Sequence, residues 1–179
     1  PQIASADLHA LRDLHQTLVA GQQTVTAVLA GDRLIAVEPG DTTHAHYGVA
    51  VGIGTTTVVG FLVDLRTGKE VAVCTQPNPQ ATYGADVISR IQYAQGEAAH
   101  VEALRAGVTR AVNGILLAVA SEAGIAPEQI YEMVVVGNTC MSHLFLGIDP
   151  QPLGHAPYTP VVTDSVTVPA ADLGVAMHP

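Results

Sequence analysis

The sequence has no tryptophan, two phenylalanines and five tyrosines among its 179 residues. Aromatic packing therefore cannot carry a core, and valine, leucine, isoleucine and alanine must build it. With 48% apolar residues there is enough of them for a structured domain rather than a disordered chain. Cationic side chains are also scarce: seven Lys plus Arg against sixteen Asp plus Glu, a net charge of −9. That balance argues against binding a nucleic-acid backbone or an anionic membrane, both of which need clustered cations. It leaves a phosphorylated small molecule open, because backbone N–H groups hold phosphate in acidic proteins too. Cys74 and Cys140 are the two cysteines, too far apart for a CxxC or another metal-ligand spacing, and read as reduced, small apolar side chains. No run of about twenty apolar residues is present, so no transmembrane helix is expected. The opening "PQIASADLHALRDLH" is polar and amphipathic, unlike a signal peptide. Because the chain opens on Pro1, the expectation is a cytoplasmic piece of something longer.

Periodicity divides the chain. Ser5 or Asp7 is positioned to cap a helix running to about Ala20, with Leu8, Leu11, Leu14 and Leu18 on one face. "TVTAVLAGDRLIAVEPGD" reads as strand, Gly-Asp turn, strand. Residues 1–40 thus form a small α+β module and 41–46 a linker. From Tyr47 the pattern changes to "YGVAVGI", "TTVVGFLVDL" and "EVAVCTQ", three strands joined by short turns as an antiparallel meander. A helix is expected to begin near Tyr83 to Asp86, and a long one from about Ala98 to Ala123 with Gly124 as its stop. "MVVVGN" is a buried strand and "TCMSHLFLG" a helix that opens directly after it. A strand arriving after a helical crossover is expected to pair parallel to the first strand. Residues 150–179 are Pro-rich and read as extended connection, with "VVTDSVTV" as one further possible strand.

Two turns carry the candidate chemistry. In Gly52-Ile-Gly-Thr-Thr-Thr57, glycines and successive hydroxyls between two strands offer several donors in a small volume, which suits a phosphate. A plain hairpin turn is the competing reading. In "VVVGNTCMSH" a strand ends at Gly137-Asn138-Thr139 and a helix starts at once, so Asn138 and Thr139 can cap it above an anion-binding N-terminus. If the two strands are parallel neighbours, both turns open at the sheet edge where α/β proteins bind ligands. A third stretch, "NPQATYGADVISR", gathers Asn78, Gln80, Tyr83, Asp86 and Arg90 around Gly84; Asp86 either caps its helix or faces the cleft as a metal or water partner. His44 and His46 lack a third ligand nearby and read as solvated linker, so no metal site is assigned. No Walker pattern, no GxGxxG and no Ser-His-Asp set is present.

Taken together, "YGVAVGIGTTTVVGFLVDLRTG", "NPQATYGADVISRI" and "VVVGNTCMSHLFLGIDPQPLGHAPY" resemble the ATPase domain of the reductive activators of corrinoid proteins, in the actin, sugar kinase and Hsp70-like superfamily. The resemblance spans Tyr47 to Tyr158. It implies an α/β, ribonuclease-H-like first lobe with a mixed sheet in β-β-β-α-β-α order over residues 47–149, preceded by the tail of a middle domain. It implies ATP and magnesium between two such lobes, a [2Fe–2S] domain N-terminal to this chain, and a corrinoid protein of a methyltransferase system as partner. ATP there drives electron transfer onto cob(II)alamin, restoring the Co(I) state. On this reading Gly52, Gly54, Thr55, Thr56, Thr57, Gly137, Asn138 and Thr139 form the nucleotide side of the cleft, with Asp86 a candidate catalytic group. A homodimer is possible.

This chain departs from the family pattern at one telling position. The family usually has an aspartate, which helps hold the metal and its waters, where this sequence has Gly52. A non-catalytic module that docks on a corrinoid protein is therefore the first alternative, and a small-molecule kinase of the same superfamily the second. The resemblance also places the second lobe, with its phosphate loop and adenosine pocket, beyond Pro179.

Overall fold

The computed structural model describes residues 3–178, so Pro1, Gln2 and Pro179, at the ends of the expected terminal segments, lie outside it. The chain divides into two compact units, residues 1–46 and 47–179.

In the first unit, strand β1 (Ser5–Ala6) and helix α1 (Leu8–Ala20) precede a hairpin of β2 (Val25–Ala30) and β3 (Arg33–Pro39). The sheet order is β1-β3-β2, parallel between β1 and β3 and antiparallel in the hairpin. Asp7 is the residue before the helix but makes no side-chain capping bond. The expected leucine face is not the buried one. Ala10 is buried and Leu14, Thr17 and Leu18 half-buried, while Leu8 and Leu11 are exposed. Helix α1 packs chiefly on the single strand β3, so only a narrow stripe of it is covered, and the small Ala10 lies along that stripe.

The second unit is built on a four-stranded sheet of β4 (Tyr47–Ile53), β5 (Thr57–Asp64), β6 (Lys69–Pro77) and β7 (Ile130–Gly137), in the order β6-β5-β4-β7. The meander is antiparallel, and β7 joins β4 in parallel, as a strand returning from a helical crossover should. Between β6 and β7 come a 3-10 turn (Pro79–Thr82), helix α2 (Val87–Ala94) and the long α3 (Ala98–Ala123). Helix α4 (Thr139–Leu146) follows β7.

Alternation decides which face is packed. Val49, Val51 and Ile53 of β4 and Val58 and Leu62 of β5 point to α3, whose Leu104, Val108, Val112, Ile115, Leu116 and Val119 are fully buried. Each such side chain contributes about 1.5–3 kcal/mol relative to exposure. The helix rides close to the sheet because Gly60 has no side chain: a Cβ there would lie 2.3 Å from the Ile115 Cγ2. Helix α3 is long and apolar enough to span a bilayer by composition, but its apolar side is this core. It ends where expected, at Gly124 with φ of 69°.

Beyond α4 the structure differs from the sequence reading. "VVTDSVTV" forms no strand; the Val161 amide instead donates to Nε2 of the buried His143, at 3.1 Å. The segment expected to be mere connection also returns to the core. Val175 and Met177 are buried, and Asn113 of α3 holds the chain in a two-way clasp with the Gly174 carbonyl (3.0 Å) and the Ala176 amide (2.8 Å).

Candidate functional site

The parallel pairing of β4 with β7 sets Ile53 opposite Gly137, so the two predicted turns leave the sheet side by side. Their side chains meet: Asn138 Nδ2 donates to Thr55 Oγ1 at 3.4 Å. Asn138 is also the N-cap of α4, its Oδ1 accepting from the Met141 amide at 3.0 Å. That leaves the Thr139 and Cys140 amides of the first helical turn without intrahelical acceptors. Gly137, Asn138 and Thr139 are all exposed, as are Gly54, Thr56 and Thr57, while Thr55 is half-buried.

The glycine–threonine turn is held from below. The Gly54 carbonyl accepts from Asn78 Nδ2 (2.8 Å), the Thr55 carbonyl from an Arg90 NH2 group (2.5 Å), and the Thr56 carbonyl from the Asn78 amide (2.7 Å). Asn78 and Arg90 are 1% and 0% exposed, so three successive carbonyls point into the protein. In a trans peptide the N–H lies opposite the C=O of the same plane. The amides of Thr55, Thr56 and Thr57 consequently face the other way. Among the described residues, neither the Thr55 nor the Thr56 amide finds an acceptor in the protein. Outward amides in succession form a concavity suited to an anion. Gly54 is required by close approach: a Cβ there would sit 2.8 Å from the Thr57 carbonyl oxygen that its own amide bonds.

Beneath the turn lies a buried polar network. The Arg90 Nε donates to the Gly84 carbonyl (2.9 Å), and NH1 to Gln80 Oε1 (3.1 Å) and Met141 Sδ (3.2 Å). Gln80 in turn donates to the Leu104 carbonyl of α3 at 3.0 Å. All of these acceptors are neutral, and among the described residues no carboxylate forms an ion pair with Arg90. Burial lowers the arginine's own pKa, while the exposed Asp86 carboxylate acts on it through space in the opposite sense; burial also pushes the neighbouring Cys140 thiol up to about 11, so the sulfur supplies no counter-charge at neutral pH. Sequence reasoning named Asn78, Gln80 and Arg90 but gave none of them a role. The signal was present: Val87, Arg90, Ile91 and Ala94 share the helical spacing of a buried face.

Asp86 sits at the N-terminus of α2 as its cap. Its Oδ1 accepts from the Ser89 amide and hydroxyl, both at 2.8 Å, and Ser89 Oγ accepts from the Asp86 amide. The Ser89 bonds hold its carboxyl below the usual range, and it stays exposed. These bonds go to its own helix, not to either turn. Gly52 lies within β4 on the face away from α3, in register with Val59 and Val136, and a Cβ there would lie 3.2 Å from the Val59 Cγ1. Among the described residues, no three or more His, Cys, Asp or Glu side chains gather as a metal site.

Comparison with known proteins settles the relationship. The family described as RACo middle region matches residues 47–179, and the one described as RACo linker region matches residues 2–44. The chain belongs to the RACo family. These family names put "linker" on the segment that the resemblance assigned to the tail of a middle domain, and "middle region" on the one it assigned to an ATPase lobe. A solved structure, "Reductive activator for corrinoid,iron-sulfur protein", superposes on 97% of the chain with a TM-score of 0.82 and 36% identity. The corrinoid activation enzyme RamQ of Eubacterium limosum is 32% identical over 160 residues, or 89% of the chain. The chain spans only about a quarter of each of these two relatives, 28% of the first and 27% of the second.

Proposed function

We propose that this chain is the phosphate-holding part of an ATP-dependent reductive activator, which returns the cobalt of a corrinoid protein from Co(II) to Co(I). Both relatives carry corrinoid activation in their names. The observation within the chain that carries the nucleotide reading is the set of outward amides at Thr55 and Thr56, beside the open first turn of α4.

On this reading residues 47–149 are a ribonuclease-H-like first lobe, in agreement with the order of three antiparallel strands, helices, a parallel strand and a helix. Gly54 lets the chain turn tightly, the Thr55 and Thr56 amides and the Thr55, Thr56 and Thr57 hydroxyls donate to phosphate oxygens, and the Thr139 and Cys140 amides add the helix N-terminus. Bound ATP would supply the driving force for an otherwise uphill electron transfer. The chain's own part is to bind and orient the phosphates. A [2Fe–2S] domain, a second lobe and the corrinoid docking surface belong to the remainder of the full-length protein.

A second reading, a docking module without ATP hydrolysis, is favoured by one observation: Gly52 brings no carboxylate to the edge of the cleft. Reduction of cob(II)alamin in a purified corrinoid protein, followed spectroscopically with and without ATP, tests both. The first reading expects ATP-dependent reduction by the full-length protein. The second expects corrinoid-protein binding with no effect of ATP, and no hydrolysis unless Gly52→Asp restores it.

A further inference from the structure

We propose that Arg90 is a positioning residue of the phosphate turn, acting through the Thr55 carbonyl, with a charge that no carboxylate contacts directly left for the bound phosphates to neutralise. The inference rests on the nucleotide reading above and names what shapes that site.

The geometry assigns Arg90 a place that neither turn could fill from its own residues. One guanidinium reaches the Thr55 carbonyl of the first turn, the Gly84 carbonyl ahead of α2, Gln80 of the 3-10 turn, and Met141 of α4. Met141 is the residue whose amide Asn138 caps. Arg90 therefore bridges both phosphate-side elements from beneath, and its planar fork of fixed donors suits that task better than a flexible ammonium. By holding the Thr55 carbonyl inward it holds the Thr56 amide outward, because the two share one peptide plane.

Charge separates this from a role in stability alone. A buried cation carries a desolvation cost that neutral acceptors repay only in part, although removing it strands those acceptors. The arrangement is favourable once an anion sits on the outer side of the same peptide. In a chain with a net charge of −9, a local positive charge there also offsets the long-range repulsion of a polyphosphate.

The test is isothermal titration of ATP and of inorganic pyrophosphate into the full-length protein, well below its melting temperature. Wild type, Arg90→Met, Arg90→Lys and a control, Leu116→Ala in the core of α3, are compared. Arg90→Met is expected to weaken ATP and pyrophosphate binding at least about 10-fold, about 1.4 kcal/mol. Arg90→Lys, which keeps the charge and loses the fork, should fall between Met and wild type and weaken further with added salt. Leu116→Ala should lower the melting temperature and leave affinity within about twofold. If Arg90→Met does not fold, Arg90→Lys decides. A folded Arg90 variant that binds both ligands as wild type does, or a loss of affinity that Leu116→Ala reproduces, overturns the proposal and leaves the nucleotide reading standing. Wild type that binds neither ligand overturns the nucleotide reading, and the positioning role with it.

Discussion

Two turns of one meander, made of similar residues, are built in opposite ways. The turn between β5 and β6, Leu65-Arg66-Thr67-Gly68, satisfies itself. Asp64 Oδ1 accepts from the Arg66 amide (2.8 Å) and the Thr67 amide (3.2 Å), and the Gly68 amide donates to the Asp64 carbonyl (2.7 Å). Gly68, at φ of 69°, completes a local structure in which amides are used up. The turn between β4 and β5 draws on Asn78 and Arg90, 24 and 35 residues away from the residues they hold. Its carbonyls are engaged and its amides left over. A turn that serves only to reverse the chain has no need of distant, buried partners. One whose carbonyls are fixed from inside is prepared for something on its outer face.

If that contrast is right, damage to the first turn should come from far away in sequence and damage to the second only from within it. The largest effect is expected at Arg90→Met, which strands the Thr55 and Gly84 carbonyls and Gln80. A loss of about 3–5 kcal/mol in denaturant unfolding is expected. Asn78→Ala removes the bond to Gly54 and the cap of the 3-10 turn and should cost about 2–3 kcal/mol by the same measurement. Gly54→Ala forces a methyl against the Thr57 carbonyl and should cost about 1–3 kcal/mol. It should also abolish phosphate-dependent shifts in the melting temperature. Asp64→Ala, in the second turn, should have the smallest effect, with no change in ATP affinity.

Acid adds a finer test. At the strand end, burial raises the Asp64 carboxyl, but the Arg66 and Thr67 amides and the Thr67 hydroxyl outweigh it and hold the carboxyl below its usual value. Its contribution is therefore fully present above about pH 4, the ordinary aspartate value, and fades as pH falls through the lowered one. Asp86 follows the same sign, through its bonds from Ser89. Carboxyl titrations by NMR should show both midpoints below the ordinary value. The first turn has no carboxylate and should keep its conformation across that range.

The legible parts of the fold were those written locally. The 3.6-residue spacing along α3, the Gly124 stop, the β-branched runs and the parallel return of β7 all follow from patterns within one or two elements. So did the two turns, because Gly54, Thr55, Asn138 and Thr139 sit at strand ends where their chemistry is visible. What fixes the turn was not legible in the same way, since Asn78 and Arg90 find their partners only after the chain folds. The missing strand at "VVTDSVTV" failed for a related reason. β propensity is present, but Pro160 and Pro169 bracket the segment and His143 takes the Val161 amide. On α1, leucine spacing suggested a wider buried face than its packing on β3 covers.

The central claim is that the outward amides of the first turn receive phosphate, and hydrogen–deuterium exchange on the full-length protein reads it directly. With ATP and magnesium added, the account predicts slowed exchange in peptides covering residues 54–57 and 138–141, with residues 65–68 unchanged. Bound ATP that leaves residues 54–57 exchanging as before, or that protects both turns alike, would contradict it.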